Sequence, residues 1–460
     1  MSNIISVGIG LPFFRIEDIT LHPQLGKKGA MRSVCFPDQD VITLAFEASL
    51  SCLGAIEATI DGIFFATSTP AFNQRYHASF LADLLNLPQG ILALDFINSR
   101  RSGTDALLLA NSLIDSGAYK NILIIASDVH FPAIGKEVTT PFGHASCAIL
   151  LGNTNGIAEI SNAKSYSSTL AEEFSYKLNE LQNDPRFSRD AGFKNNLTFA
   201  LKNFSSDAKT VDTVILHSLY AKLATSIFSD AGYEGTQLAK DTLTSKIGNT
   251  GSAHALLLLA LELENGKKNI LLADYANGIN IFEIKTHFIP TQKPLEEQLK
   301  KYEVVATYQD YLLLRKAGNF NSIKYKTKEI FSSEMMQERE KEALLYLKGW
   351  KCETCGTTYY LKSARCKKCK ETVFTAVQLK NTGTVYSCTA EHYFPASFAP
   401  ITMVVIDLDE GGRITVQQTD TMFPEKNKMD IGVKVKLVLR KMMENDAKPN
   451  YFWKAIPRYE

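Results

Sequence analysis

DALLLANSLIDSGAYKNILIIASD, residues 105–128, returns as HALLLLALELENGKKNILLAD, residues 254–274. Each copy is an apolar helical run, a glycine stop (Gly117, Gly266) and a buried strand that opens Lys-Asn-Ile-Leu. Two copies about 150 residues apart suggest a duplicated α/β half, chance likeness between two amphipathic helix–strand units being the alternative. The loops before the two helices are the places to look for chemistry, because a helix N-terminus presents free N–H groups and the positive end of a dipole.

Around this echo, up to about Gly318, short β-branched or aliphatic runs such as 91–97, 122–126 and 214–216 alternate with helical patterns. That alternation predicts a layered α/β domain. The chain has 460 residues and is 45% hydrophobic, room for several domains with real cores. Its 50 basic and 49 acidic residues nearly cancel, so no global field points to nucleic acid or an anionic membrane. The opening MSNIISVGIGLPFFR lacks the basic, apolar and small-residue segments of a signal peptide. The longest apolar run, Ala255 to Leu261, falls far short of the ~20 residues that span a bilayer. Four scattered cysteines (Cys35, Cys52, Cys147, Cys388) and one tight quartet suit a reducing compartment better than a disulfide framework. We therefore expect a soluble, cytoplasmic protein.

After Gly318 the composition shifts. SSEMMQEREKEALLYLKGW has Ser332 and Ser333 as capping candidates and early glutamates, so it reads as a helix joining two bodies. From Thr375 onward, alternating runs at 383–389, 401–407 and 414–418 are split by glycines and polar turns, the pattern of a small all-β barrel.

Between helix and barrel, Cys352, Cys355, Cys366 and Cys369 form C-x2-C-x10-C-x2-C, two knuckles that can each offer two thiolates to one tetrahedral zinc. Four cysteines close the coordination sphere, so the expected zinc is structural, supplying on the order of 10 kcal/mol of folding free energy in so small a module. A redox dithiol is the rival reading. The ribbon is basic, with Lys351, Lys362, Arg365, Lys367, Lys368 and Lys370 against Glu353. Single-stranded nucleic acid, the nucleotide of coenzyme A, or mere compensation of a zinc-tetrathiolate would each account for that charge.

The tail resembles the acyl-CoA-associated zinc-ribbon/OB-fold family: Gly349, Cys352, Cys355 and Gly356, then Gly383-Thr-Val-Tyr and Leu408-Asp-Glu-Gly, fit its pattern. Members of that family commonly accompany thiolases or hydroxymethylglutaryl-CoA synthases, which makes nucleic acid the less favoured partner. Residues 1–318 in turn resemble hydroxymethylglutaryl-CoA synthase and ketoacyl-ACP synthase III. The likeness rests on Gly8-Ile-Gly-Leu-Pro with Arg15, PDQDVITLAFEA, Ala66-Thr-Ser-Thr-Pro, DFINSRRSGTDAL, FGHASCAILLG, VILHSLYAKL and IGNTGSAHALLLLA. It implies a duplicated five-layered thiolase fold (αβαβα) with halves at 1–160 and 161–318. A linker with a helix (319–348), a rubredoxin-like zinc ribbon (349–377) and an OB-fold (378–460) follow.

Condensing enzymes of this group place a cysteine at a helix N-terminus, where backbone N–H groups favour the thiolate and cradle the acyl oxyanion. They pair it with a histidine and with an asparagine or a second histidine. The resemblance carries these roles to Arg100, His217 and Asn249, the alignment being fixed by Asp95 before Arg100 and by Gly103-Thr104 after it. Arginine cannot form a thioester, and its guanidinium stays protonated. Ser99 and Ser102 are neighbours off the nucleophile position. Ser68 stands where the synthases carry a glutamate acid/base, and His144-Ala145 depart from the Gly-Asp/Ala-Gly pattern usual before that strand. Lys222 matches a basic position near the coenzyme A entrance, and Ser68 and Gly278 are taken as substrate- or CoA-binding positions.

The pattern resembles the synthase-like and zinc-ribbon components of multi-component acyltransferases of the phloroglucinol acetyltransferase type. It implies an acyl-CoA- or acyl-carrier-dependent acyltransferase or C–C condensing system. In it this chain is acyl-donor platform and scaffold, and a separate cysteine-bearing thiolase-like subunit brings the nucleophile. A homodimer through the thiolase fold and an acyl carrier protein are further expected partners. An autonomous non-covalent enzyme with Arg100 as anion anchor and His217 as base, and a non-enzymatic acyl-CoA or nucleic-acid binder, are the alternatives.

Overall fold

Asp40 starts the first long helix by local chemistry: its carboxylate accepts from the backbone N–H groups of Ile42 and Thr43, while its own N–H donates to the Thr43 hydroxyl. The computed structural model describes all residues except 55, 57, 141, 171, 177–178, 219, 316–333, 393–399, 424, 426, 442–449 and 459–460. It divides into two compact units, one built from residues up to Arg315, the other from Lys316 onward together with the short segments Phe36–Gln39 and Leu84–Asn86.

The first unit runs β1 (Ser2–Gly10), α1 (Val41–Leu53), β2 (Gly62–Thr67), α2 (His77–Leu84), β3 (Leu92–Ile97), α3 (Ser102–Asp115), β4 (Asn121–Asp128) and β5 (Ala145–Gly152). It continues β6 (Ala158–Ser167), α4 (Asn195–Asn203), β7 (Thr213–Leu216), α5 (Ala221–Asp230), α6 (His254–Glu264), β8 (Asn269–Tyr275) and β9 (Gly278–Thr286). The nine strands join in the order β7-β8-β9-β6-β1-β5-β4-β2-β3. The duplication shows in the pairing. In the first half β2 lies parallel to β4, then β5 and β1 follow antiparallel; in the second β7 lies parallel to β8, then β9 and β6 follow antiparallel. A short pairing of Ser2–Ile4 with 158–160 joins the two halves.

The layers follow from which helix faces are apolar. α1 lies against β1, β5 and β4. α4 and α5 bury Leu197, Ala200, Ala224, Ile227 and Phe228 against strand residues Val214, Leu271 and Ile281. Between the halves lie α3 and α6, sharing one core: Ala106, Leu107, Ala110 and Ile114 from α3 and residues 255–260 with Leu263 from α6. Every residue of α6 except Leu261 is buried, which explains an apolar run without a polar face: both sides of this helix meet protein. The result is the αβαβα layering of a duplicated thiolase fold.

The two glycine stops behave alike. Gly117 and Gly266 both take φ 76°, and the next residues, Ala118 and Lys267, donate back to Leu113 and Glu262. This is the left-handed helix ending that glycine adopts without a Cβ clash. At their other ends the helices nearly touch: a Cβ on Gly103 would lie 2.2 Å from the carbonyl oxygen of Ser252.

The second unit opens with helix α7 (Glu334–Leu344); the expected caps Ser332 and Ser333, and the expected 318/319 boundary, lie outside the described residues. Strands β10 (Lys348–Cys352), β11 (Thr358–Tyr359) and β12 (Phe374–Gln378) form a small sheet around the cysteines. β13 (Thr382–Glu391), β14 (Ile401–Leu408), β15 (Arg413–Gln418), β16 (Lys434–Lys441) and β17 (Tyr451–Pro457) close a barrel in the order β13-β14-β15-β17-β16. Val404, Ile406 and Leu408 on β14 and Ile414 and Val416 on β15 point inward, the period-two alternation of a half-buried strand. Among the described residues no helix is long and apolar enough to cross a membrane.

Gly103→Ala is expected to destabilise the protein by on the order of 2 kcal/mol, because the new methyl meets backbone rather than a yielding side chain. A urea midpoint unchanged from the parent would refute the close approach.

Candidate active site

The C-terminal ends of the parallel strands converge on one cavity of about 380 Å³, the usual position of a site in an open α/β sheet. Ser68 follows β2, Asn98, Ser99 and Arg100 follow β3, Asp128 ends β4, His217 and Ser218 follow β7, and Asp274 and Tyr275 end β8; all line it. Asn249 and His254, before and at the start of α6, complete the wall. Arg100 precedes Asp105, and Asn249 precedes His254, by the same five residues, so they are equivalent positions of the duplicated unit. The loops before the paired helices thus face each other across the cavity.

His217 is held on both sides. Its Nδ1 lies 2.6 Å from Asp241 Oδ2, and its Nε2 lies 3.1 Å from Asn249 Nδ2. Asn249 Oδ1 accepts the Gly251 N–H at 3.0 Å, which turns the amide nitrogen toward the imidazole. His217 therefore donates from Nδ1 to Asp241 and accepts at Nε2 from the Asn249 amide. His254 Nε2 lies 2.9 Å from the same Asp241 oxygen, while its Nδ1 accepts the Thr250 N–H at 3.3 Å. Thr244 adds a hydroxyl donor at 2.7 Å.

Burial, the neighbouring His254 and the charge of Arg100 push the His217 imidazole below its ordinary range, although Asp241 pulls the other way. Burial opposes ionisation of Asp241, but the hydrogen bonds from His217 and His254 outweigh it and hold the carboxyl well below the usual range. The arrangement is a neutral base on an ionised anchor.

His217, Asp241 and His254 also lie close enough to bracket a metal ion. The outer shell argues against one. A ligating histidine needs its second nitrogen to donate to an acceptor; here His254 Nδ1 meets a backbone N–H and His217 Nε2 meets an amide NH2. These contacts fit a proton-holding relay.

The remaining expected positions separate. The Ser68 hydroxyl donates to Asp128 Oδ2 at 2.9 Å, so it is committed to that carboxylate. Ser102 Oγ donates to Ser99 O, and Ser99 Oγ accepts the Arg101 N–H, which ties both serines to the turn entering α3. Asp95 accepts from the N–H groups of His77 and Ala78 and from His77 Nδ1, so it anchors the start of α2. His144 is buried, donates from Nε2 to His130 O and accepts the Cys35 N–H; burial pushes it down to about 3. Lys222 is exposed on α5, and Gly278 heads β9, where a Cβ would lie 2.1 Å from Tyr166 O; neither lines the cavity. Among the described residues no cysteine lines it either.

The sequence reading missed Asp241, His254 and Asp274. Asp241 sits in an ordinary-looking stretch, LAKDTL, and His254 reads as no more than the start of an apolar helix. Asp274 ends the second copy of the repeat, where no motif marks it as part of the cavity. Burial pushes its carboxyl up to about 6, against the pull of Thr104 and Arg101.

In the second unit Cys352 and Cys369 Sγ lie 3.5 Å apart and Cys355 and Cys366 Sγ 3.4 Å apart. All four sulfurs fall within 4.8 Å of one another, a set that fits one tetrahedral ion. Gly356 N–H donates to Cys352 O and Lys370 N–H to Cys366 O, closing matching knuckles at φ 71° and 68°.

The fold is that of a synthase-like thiolase-fold protein with a C-terminal OB-fold domain. The family model described as "ChsH2, C-terminal OB-fold domain" matches residues 376–440. The chain is similar to the hydroxymethylglutaryl-CoA synthase of Picrophilus torridus, 26% identical over 298 residues, covering 60% of this chain and 85% of that one. Among solved structures, an HMG-CoA synthase complexed with CoA superposes with TM-score 0.55 at 20% identity, over 66% of this chain and 88% of that one. The HMG synthase of the curacin biosynthetic pathway, solved in complex with its acetyl donor-ACP, superposes with TM-score 0.57 at 16% identity, over 68% and 88%.

The His217 ring is expected to titrate below the free imidazole value of about 6.5, and Arg100→Ala to move that titration upward, since the Arg100 charge is one cause of the shift. Histidine NMR across pH 4–8 reads both; a wild-type midpoint at or above the free value would contradict the geometry.

Proposed function

We propose that this chain handles acyl thioesters of coenzyme A or an acyl carrier without forming an acyl-enzyme of its own, as one component of an acyltransferase or C–C condensing system. The observation that carries this reading is a cavity in which His217 and Asn249 stand together, while its lining includes Arg100 and, among the described residues, no thiol. A supported histidine and an amide donor can polarise a thioester carbonyl or move a proton. A permanently charged guanidinium cannot be acylated in place of cysteine. The covalent step then belongs to a separate cysteine-bearing thiolase-like subunit, for which this chain is platform and scaffold. The similarity to an HMG-CoA synthase crystallised with CoA and to a curacin synthase crystallised with a donor carrier supports a thioester ligand. A homodimer of the thiolase unit belongs to the same reading.

Arg100→Cys tests the assignment directly. The variant is expected to acquire an acetyl mass increment from acetyl-CoA at residue 100, because the helix N-terminus, His217 and Asn249 are already in place, whereas the parent stays unmodified under the same conditions. Acylation of the parent would overturn the reading. The same incubations, with the parent alone and with a candidate thiolase-like subunit, are expected to give condensation only in the mixture. Turnover by the parent alone would favour the second reading, an autonomous non-covalent enzyme, which the intact Asp241–His217 pair supports.

The four-cysteine cluster is proposed to hold one structural zinc. Purified protein should carry one zinc per chain by atomic emission, and Cys366→Ser should cut that at least tenfold and expose the ribbon to proteolysis. Full zinc retention would assign the metal elsewhere.

A further inference from the structure

The acceptors of the cavity wall are engaged by the protein itself. Asp128 takes six donors. His217 Nε2 takes one Asn249 Nδ2 hydrogen, Asn249 Oδ1 takes the Gly251 N–H, and His254 Nδ1 takes the Thr250 N–H. Asp274 Oδ2 accepts the Thr104 hydroxyl at 2.7 Å, and Ser99 Oγ accepts the Arg101 N–H. Glu172, the remaining carboxylate of the lining, acts on Tyr275: burial, and then the Glu172 charge, push that phenol above its ordinary range.

The donors are in surplus. A side-chain amide nitrogen carries two hydrogens, and only one of those on Asn249 goes to His217. Arg100 adds a planar fork of five N–H donors, enough to grip both oxygens of a carboxylate while keeping contacts of its own. A wall of this kind takes a ligand that brings acceptors.

The place of Arg100 says which part of the ligand brings them. Residue 100 is the position that receives the acyl group in the condensing enzymes this chain resembles, and the Arg100 charge reaches His217. A neutral acyl end seated there would strip water from the guanidinium and return no hydrogen bond. A carboxylate returns two charge-assisted bonds in the geometry the fork is built for. The phosphates of coenzyme A stand off from the thioester by the length of the pantetheine arm. A cavity of about 380 Å³ has room for a short dicarboxylic acyl chain.

We propose that the ligand of this cavity is an acyl thioester whose acyl end carries a carboxylate, of the malonyl or succinyl kind. Arg100 is the residue that selects it, by taking both carboxylate oxygens, and Asn249 gives its second Nδ2 hydrogen to the thioester carbonyl oxygen. The inference rests on the reading of the cavity as a thioester site and names the class of thioester.

Pantetheine thioesters, which carry no phosphate, test it in shape-matched pairs: malonyl against isovaleryl, and succinyl against 4-methylpentanoyl. Calorimetry on the full chain is expected to give affinity higher by about tenfold or more for the charged member of a pair. In Arg100→Met that ratio should collapse to near one, and in Arg100→Lys, which keeps the charge without the fork, part of it should return. Malonyl-pantetheine is also expected to move the His217 NMR titration upward in the parent, by neutralising a charge that lowers it, whereas isovaleryl-pantetheine leaves that charge in place. Equal affinity within both pairs, or a preference that survives in Arg100→Met, overturns the inference and leaves the thioester reading standing. A His217 midpoint that moves alike with both thioesters places the carboxylate away from Arg100 and overturns it as well. Inorganic phosphate binding as tightly as malonyl-pantetheine would assign the anion site to phosphate instead. Failure of all four acyl groups to bind, as pantetheine or as coenzyme A thioesters, overturns both readings.

Discussion

Asp128, at the end of β4, accepts from the backbone N–H groups of Ser68, Thr69 and Ser252 and from the hydroxyls of Thr67, Ser68 and Thr69. Five of these donors belong to the first half of the duplicated unit, and the sixth, Ser252, leads into the central helix of the second. A buried carboxylate is tolerable only with such saturation, and each bond to it is charge-assisted. The knot also dictates its surroundings. Gly251 sits at φ 58°, where a Cβ would fall 2.1 Å from Asp128 Oδ2, so the turn that delivers Asn249 to the cavity must pass as glycine. The paired helix N-termini, the cavity floor and the orientation of Asn249 are all downstream of one anion.

The architecture was legible because it is written in period and punctuation. The repeated helix–stop–strand unit gave the duplication, and Gly117 and Gly266 end their helices in the same left-handed turn. Alternation gave the barrel, as Val404, Ile406 and Leu408 show. Cysteine spacing gave two knuckles on one sulfur cluster. Spacing could not show that Lys370 would adopt the left-handed conformation that Gly356 takes in the first knuckle.

The site was legible only where resemblance reached. Arg100, His217, Asn249 and Ser68 do come to one cavity. Asp241, His254 and Asp274 act through contacts that no local pattern encodes. Asp241 reaches His217 from a loop with no recognisable signature, and Asp274 owes its place to strand register. Ser68 shows the converse: its backbone position was readable, but not the acceptor that occupies its hydroxyl.

The tandem Arg100-Arg101 is split in duty. Arg101 reaches Tyr166 O and pairs with Asp105, bracing the entry to α3, while Arg100 contributes to the cavity wall. The arginine codons CGU and CGC lie one base from the cysteine codons UGU and UGC. From either of them guanidinium is exchanged for thiol at residue 100 in a single mutational step that leaves Gly103 and Arg101 in the chain. Gain or loss of a nucleophile is then an inheritance question separable from folding, and gene copies of one scaffold can diverge in chemistry before they diverge in shape.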